Sequence, residues 1–553
     1  MDPNRVALTT DRGDRNRLPR IVTIALAAPA VVFIGLLFVW PIISLAAEAI
    51  TSDSVRSIVI DRTLLGIVWF TTWQAVVSTV LTVAIGLVPA WLLARYEFRG
   101  RRAITALVAV PFVLPTVVVG AAFLAVLPSS LDQSVVAILI AHVFFNVAVV
   151  VRGVGALWEQ LPEDLSASAR TLGASPLRAM REVTLPLLGP AIAAAASVVF
   201  LFSFTSFGVV RVLGGPRRVT LEVEIWQRAT RFGDVGVAAA LSIAQLVVLG
   251  FAVGVFTRLR KRQRLALGLR PLDQRRRART TRERVAVAAI AVAVLAGVCA
   301  PLIALAERSL RTAGGHSFAA WRAVFANERQ VSPRPVANTI DALGSLTVSL
   351  RFAVIAMVIS VVIGATASLA ITALGRGGRM IDIGVMLPLG TSAVTIGFGL
   401  LLAFDTPPFD WRAAPLLIPL GHALVATPFV VRATLPVLRS IDPRLRAAAA
   451  TLGASPVRAW REIDLRIARR PMLVGAGFAL AISLGEFGAT TLLTRQGRAT
   501  LPIAIEQLLN RPGSLLHAEG YVLATVLAAL TFLVLVLTEL SSNTTVDTTF
   551  RGA

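Results

Sequence analysis

The stretch TLGASPLRAMREV at 171–183 recurs as TLGASPVRAWREI at 451–463. The offset between the copies is 280 residues, the difference between Thr451 and Thr171, and it continues on both sides of the phrase. The chain therefore carries two copies of one ancestral unit. Other pairs at this offset are His142 with His422, the VVR triplets at 150–152 and 430–432, SFG at 206–208 with EFG at 486–488, and Gln227 with Gln507.

The composition around the repeated phrase is that of a membrane protein. The 553 residues are 56% hydrophobic and 15% charged, whereas soluble domains average about 25% charged residues. The net charge of +23 comes largely from arginines between apolar runs, which the positive-inside rule explains without nucleic acid. Cys299 is the only cysteine, so an intrachain disulfide or a cysteine-based metal site is excluded. We predict a protein of the lipid bilayer that binds neither nucleic acid nor metal.

Twelve apolar runs approach or exceed the roughly 20 residues that cross a bilayer. Arginines cluster before the first run, between the second and third, and between the eighth and ninth, which predicts cytoplasmic termini. Six spans in each copy give both copies the same orientation, so we predict an all-α integral membrane protein of two parallel six-helix repeats. The runs lie near 21–47, 64–94, 104–127, 133–157, 187–210, 235–257, 285–306, 343–374, 380–404, 413–437, 472–494 and 519–540.

A basic segment at 258–284 separates the two sets of spans. It holds twelve arginines and lysines, and we interpret it as a topology anchor, with anionic-lipid binding as the alternative. The predicted parts are a cytoplasmic segment 1–20, a transmembrane domain 21–257, the linker 258–284, a transmembrane domain 285–540 and a cytoplasmic tail 541–553.

The repeated phrase lies in two long polar loops, 155–187 and 436–471, each after the fourth span of its copy. A glycine stands where a helix ends in a left-handed residue, and Ser-Pro follows as an N-cap and first helical residue. We predict a helix, a tight turn and a short second helix at the membrane surface. An amphipathic loop lying on lipid is the alternative, but a second copy favours a paired docking site. These positions are Gly173, Ser175, Pro176, Arg178 and Arg181, and Gly453, Ser455, Pro456, Arg458 and Arg461.

Both loops resemble the EAA motif of ABC importer permeases, which reads E-A-A, three residues, Gly, nine residues and I-x-L-P. Alanine replaces the leading Glu in both copies, and Arg466 replaces the final Pro in the second. The resemblance implies the type I ABC importer permease fold, a bacterial cytoplasmic membrane location, and a coupling helix in each loop. The matching residues are Ala167, Ala169 and Gly173 in the first copy and Ala447, Ala449 and Gly453 in the second.

The chain itself cannot carry a Walker A motif, because the motif requires a lysine after a glycine. The only lysine, Lys261, lies between Arg260 and Arg262. If transport is driven by ATP, the ATP and Mg²⁺ must be held by a partner. The resemblance then implies two copies of an ABC ATPase subunit and an extracytoplasmic substrate-binding protein, with no cofactor and no catalytic residue in this chain.

The fused twelve-span form resembles the ferric-iron and thiamine branch of these importers. AHVFFN at 141–146 and LGGPRRVTLEVEIWQ at 213–227 look most like thiamine permeases, whereas SLGEFGAT at 483–490 is shared with ferric-iron permeases. Ferric iron is thus the alternative cargo. A secondary transporter driven by an ion gradient and a membrane enzyme are further alternatives, but the spans show no nucleophile or metal-ligand constellation.

Ionisable residues inside spans are costly in lipid and are candidates for function. Glu486, in the eleventh span, could line a path for a cationic cargo, or could be a structural carboxylate at a helix break beside Gly485 and Gly488. Ser206 occupies the equivalent position in the first copy. Asn146 and His142 are the other predicted path residues, and for Asn146 interhelical hydrogen bonding is the alternative.

Overall fold

The structure is a computed structural model that describes residues 19–51, 60–262, 275–325, 341–375, 377–405, 410–411, 414–495 and 499–543. Most of the predicted segments 1–20 and 541–553, and residues 263–274 of the predicted linker, lie outside the described residues. In the described part, ten helices are long and apolar enough to cross a membrane, or twelve if two bent pairs count as one span each. The predicted all-α membrane class is confirmed.

The helices follow one another with short connections in both sequence repeats. The first repeat contains α1 (Arg20–Ile34), α2 (Trp40–Thr51), α3 (Arg62–Arg95), α4 (Arg101–Val113), α5 (Thr116–Val126), α6 (Val135–Trp158), α7 (Glu163–Thr171), α8 (Pro176–Ala179), α9 (Leu185–Phe204), α10 (Gly208–Leu213), α11 (Leu221–Gln227) and α12 (Val235–Arg262).

The second repeat has the same order with a small hairpin added near its start. It contains α13 (Thr281–Ser309), β1 (Arg311–Thr312), β2 (Gly315–His316), α14 (Ala319–Phe325), α15 (Ala342–Leu374), α16 (Gly378–Met386), α17 (Ala393–Ala403), α18 (Leu417–Ser440), α19 (Pro443–Thr451), α20 (Pro456–Ala459), α21 (Leu465–Gly485), α22 (Gly488–Leu493), α23 (Leu501–Leu509) and α24 (Ser514–Asn543). The two strands pair antiparallel.

Residue contacts divide the chain into two compact units that differ from the sequence repeats. Unit 1 takes its described residues from Met1–Leu45, Gly344–Thr500 and Leu530–Ala553, and unit 2 from Ala46–Leu343 and Leu501–Ala529. Each unit thus includes the opening span of the other repeat. The boundaries 21–257 and 285–540 remain predictions about the sequence copies.

The exchanged helices are mostly exposed, and each contacts its unit along one face. In unit 1, α1 packs its Ala30 among Ala367, Val385 and Val431. In unit 2, α13 places Val287 against Leu92 and Tyr96 of the second span. Since lipid tails are as apolar as these side chains, such contacts between spans are stabilised by van der Waals packing and not by removal of apolar surface from water.

Two apolar runs predicted as single spans, 104–127 and 380–404, are sharply bent. α4 and α5 meet at 107°, and the segment Gly378–Gly390 meets α17 at 105°. The first bend follows from Pro115, because the residue before a proline avoids helical geometry and Leu114 is extended with ψ 140°. At the second bend Ser392 accepts hydrogen bonds from the amides of Val394 and Thr395 and starts a new helix.

The helix after each bend packs closely on a short helix of the same unit. α5 lies on α10 and α17 lies on α22. A Cβ on Gly120 would come 2.7 Å from the Cβ of Val212, and one on Gly397 would come 2.6 Å from the Cα of Ala489. These distances are below van der Waals contact, so glycine is required for the approach.

We expect Gly397→Ala to lower the free energy of unfolding by about 1–3 kcal/mol, the usual cost of overpacking. The clash is with the backbone of Ala489, which cannot rotate away as a side chain could. The measurement is thermal unfolding of the purified chain in detergent. Gly66→Ala is the matched control, since a Cβ there meets nothing within 4 Å; equal stability of both variants would contradict the packing argument.

Candidate functional site

The first repeated loop, in unit 2, ends its α7 helix in a Schellman motif. Gly173 has φ +89°. Its amide donates to the carbonyl of Arg170 at 3.0 Å, and the amide of Ala174 donates to the carbonyl of Ala169 at 3.1 Å. A non-glycine residue adopts this left-handed conformation only at a cost. The predicted glycine turn is therefore present.

The second loop, in unit 1, repeats this geometry at the end of α19. Gly453 has φ +83°, and its amide donates to the carbonyl of Ala450 at 3.1 Å. The amide of Ala454 donates to the carbonyl of Ala449 at 3.0 Å. The two loops thus share hydrogen bonds as well as sequence.

The helix after each turn begins as predicted but does not end as predicted. The hydroxyls of Ser175 and Ser455 cap it at 3.3 Å from the amides three residues on. Instead of a short surface helix, each continues into its span as one helix, Pro176–Phe204 and Pro456–Gly485. The expectation of a separate short helix is wrong.

A π-helical turn makes this continuation possible in both copies. It covers Met180–Thr184 in the first and Trp460–Asp464 in the second. Pro186 follows the turn in the first copy, but Arg466 stands there in the second. Because both turns have the same form, the proline is not its cause. The helices of these two spans therefore begin 11 and 16 residues before the apolar runs at 187 and 472.

The charged residues of the loops are partly neutralised within the loops. Arg178 pairs with Glu182 and Arg458 with Glu462, each at 3.0 Å and well exposed. Exposed pairs of this kind contribute little to stability, because water and salt screen them. In the second copy alone, Arg446 also binds Asp464, with both oxygens 3.0 Å from its Nε, which ties α19 to the start of the span.

The most exposed large side chains of the loops were missed in the sequence. Leu172 is 89% exposed and Leu452 is 88% exposed, directly before the turn glycines. Leu177 is 78% exposed in the following helix. The sequence signal for these side chains was the leucine that directly precedes the turn glycine in both copies. Of the predicted loop residues, all are exposed except Ala169, Ala449 and Pro456, which are half-buried.

Glu486 lies in the break between α21 and α22 of unit 1 and is 7% exposed. Its carboxylate accepts from the amides of Ala489 and Thr490 at 2.9 and 3.0 Å, and from the Thr490 hydroxyl at 2.6 Å. His422 places Nε2 2.7 Å from that hydroxyl and Nδ1 2.7 Å from the Ser483 hydroxyl. These hydrogen bonds are the ones expected if Glu486 is a structural carboxylate at a helix break. That Glu486 lines a path for cargo remains a prediction.

The hydrogen bonds of this cluster lead from His422 through the Thr490 hydroxyl to Glu486. Because the Thr490 hydroxyl donates to Glu486, it accepts from Nε2–H of His422. Nε2 also lies 3.3 Å from the Glu486 carboxylate, and Nδ1 lies within hydrogen-bond distance of the Ser483 hydroxyl, so both ring nitrogens are engaged.

The equivalent cluster in unit 2 is incomplete. Ser206 replaces Glu486 and Val210 replaces Thr490. His142 places Nδ1 3.0 Å from the Ser78 hydroxyl, but its buried Nε2 has no hydrogen-bond partner among the described residues. The side-chain oxygens of Asn146 and Gln74 are likewise buried and without a partner there. The two amides are held by donation to the carbonyls of His142 and Ser203, each at 3.0 Å.

We expect Glu486→Gln to lower the free energy of unfolding by about 1–3 kcal/mol. Gln offers one acceptor where the structure needs two, so an amide of α22 would face an NH₂ group. Thermal unfolding in detergent measures the effect, and Ser206→Ala at the equivalent position is the control, with little change expected. A raised KM for cargo at unchanged stability would contradict the structural role.

Comparison with known proteins shows which family has this sequence pattern. Residues 82–265 match the family described as binding-protein-dependent transport system inner membrane component. A thiamine transport system permease protein of Brucella abortus is 29% identical over 91% of this chain and 92% of its own length. One from Escherichia coli is 27% identical over 87% and 89%. A sulfate transport system permease protein of Salmonella typhimurium is 31% identical over 33% of this chain and 71% of its own. The chain belongs to the family of inner membrane components of binding-protein-dependent transport systems.

Proposed function

We propose that the chain is the complete transmembrane part of an ATP-driven importer of thiamine. The observation that supports thiamine best is similarity to thiamine permeases across 91% of the chain, both repeats included. Similarity to the sulfate permease is confined to 33% of the chain. The cargo assignment therefore rests on the relatives that share the fused form.

Each repeated loop is the docking site for one copy of an ABC ATPase subunit. Leu172 and Leu452 supply an exposed apolar contact at the turns, and full burial of a leucine side chain in a partner's groove contributes about 1.5–3 kcal/mol. The turn geometry, fixed by Gly173 and Gly453, presents these side chains in the same way twice. The two ATPase copies hold the ATP and Mg²⁺ that the chain cannot bind.

The continuous helices transmit the movement of the ATPases. Since the helix that follows each turn is also the span, Pro176–Phe204 or Pro456–Gly485, a docked loop cannot move without its span. Closure of the ATPases around ATP then changes access to the path. A binding protein delivers cargo at the outer face, and both termini and both loops lie in the cytoplasm.

The polar groups inside the spans are the proposed path. In unit 2, the atoms without partners at His142 and Asn146 can hydrogen-bond a passing solute, and Ser206 lies buried on the same stretch of chain. In unit 1, Glu486 is already hydrogen-bonded, so it acts on cargo only if those bonds open. Thiamine, a cation with an aminopyrimidine ring, offers donors and acceptors for such groups.

The test is ligand binding by the cognate binding protein, measured by calorimetry with thiamine, its phosphates, ferric iron and sulfate in parallel. We expect thiamine or a phosphate ester to bind at least about a hundredfold more tightly than the other solutes. Selective binding of ferric iron would replace thiamine by the alternative cargo and leave the importer assignment standing.

A further inference from the structure

An open cavity of about 480 Å³ lies in unit 1 beside the start of the span that follows the second loop. Three arginines line it, Arg461, Arg466 and Arg469, together with apolar residues that include Val361, Met472 and Leu473. The arginines and most of the apolar residues belong to one continuous helix, whereas Val361 comes from α15.

The arginines of this cavity carry more positive charge than the nearby carboxylates balance. Arg461, Arg466 and Arg469 are exposed, and none of them forms an ion pair among the residues the structure describes. The nearby carboxylate of Glu462 is bound by Arg458 at 3.0 Å, and Asp464 is bound by Arg446. Three guanidinium groups beside the cavity therefore attract an anion.

The wall of the cavity itself is almost entirely apolar, because the three arginines line it with their aliphatic stems and not with their guanidinium groups. From Arg466 to Leu473 is seven residues, which is about 10 Å along a helix. The charged residues thus lie at the polar start of the span and the apolar ones deeper in the apolar run. A small soluble anion would use only the arginines, and an acidic protein groove could not follow the helix into the apolar layer. A phospholipid has both an anionic headgroup and an acyl chain, and basic pockets between helices bind such headgroups.

The first repeat lacks this feature at the equivalent positions. Pro186 corresponds to Arg466 and Gly189 to Arg469, and only Arg181 matches a cavity arginine. Arg466 and Arg469 are therefore not required for the geometry of the loops, because the first loop has the same geometry without them.

The arginines, the apolar wall of the cavity and the absence of two of these arginines from the first repeat point to one ligand. We infer that the cavity binds an anionic phospholipid, with its phosphate on Arg466 and Arg469 and an acyl chain against Met472 and Leu473. The lipid holds the start of the span that leads from the second coupling loop. This inference does not depend on the cargo of the transporter.

Native mass spectrometry of the purified full chain, titrated with phosphatidylglycerol or phosphatidylcholine, tests the site. We expect phosphatidylglycerol to be retained preferentially, and the double variant Arg466→Gln/Arg469→Gln to weaken its binding about tenfold or more. Arg470→Gln, an exposed arginine of the same helix outside the cavity lining, is the matched control and should stay within about twofold.

The double variant Arg466→Lys/Arg469→Lys keeps the charge and should retain most of the binding, which separates loss of charge from misfolding. Equal retention of the two lipids, or unchanged phosphatidylglycerol binding in the glutamine variant, would overturn the inference. Displacement of the lipid by millimolar inorganic phosphate would also overturn it, because the acyl chain would then contribute nothing.

Discussion

Gly173→Val is expected to reduce ATP-dependent uptake to the level seen without ATP, while the chain still inserts and folds. Gly173 has φ +89°, and a Cβ there would meet nothing within 4 Å, so the cost is in the backbone alone. That cost is about 1–2 kcal/mol for an ordinary residue and larger for a β-branched one. The turn would therefore reopen, and the exposed leucine before it would leave its docking position. Gly453→Val, at φ +83°, should have the same effect.

Asparagine at either position is the matched control, because it tolerates the left-handed conformation. The measurement is uptake by proteoliposomes that contain the chain with its ATPase, alongside ATP hydrolysis and thermal unfolding. We expect Gly173→Asn to keep most of the uptake that Gly173→Val loses, at similar unfolding temperatures. Full ATP-dependent uptake in the valine variants would refute the assignment of these turns to coupling.

The second large effect is expected from Leu172→Asp and Leu452→Asp. Both leucines are almost fully exposed, so neither change should alter the stability of the isolated chain. If they are anchors in an ATPase groove, replacing one by a charge should cost 2 kcal/mol or more, which is about a thirtyfold loss of affinity. ATPase binding is measured by surface plasmon resonance on the chain in nanodiscs.

Leu172→Met and Leu452→Met keep an apolar side chain of similar volume and should bind almost as the original chain does. Comparison of the two single aspartate variants with the double variant reports whether two ATPase copies dock. We expect each single variant to leave one site intact and the double variant to remove both. Unchanged ATPase binding in the double variant would show that the turns do not contact the ATPase.

Local chemistry made the repeated loops predictable. Glycine after a short helix and Ser-Pro two residues later each have a narrow set of backbone conformations, and Gly173 and Ser175 adopt the expected ones. The apolar runs were equally accessible, since burial in lipid requires them. Among the described residues, ten of the twelve predicted runs correspond to continuous helices and the other two to bent pairs.

Features that depend on tertiary packing were not predictable. The bend at Ser392 does not lie at a proline, since Pro388 opens the short 3-10 turn four residues before it. The helix also continues through Trp460–Asp464, although the polar residues of that segment predicted a surface loop there. The pairing of Glu486 with α22 and His422 joins residues 64 positions apart, the difference between 486 and 422. Hydropathy locates a carboxylate in a span, but whether it faces cargo or its own backbone is decided by neighbours that only the fold brings together.

Thiamine uptake by proteoliposomes tests the central claim most directly. The chain is reconstituted with its ATPase inside and its binding protein outside, and radiolabelled thiamine is followed over time. The account predicts accumulation that requires ATP, the ATPase and the binding protein together, and that stops when any one is omitted. Accumulation driven by an ion gradient, without the ATPase, would contradict it.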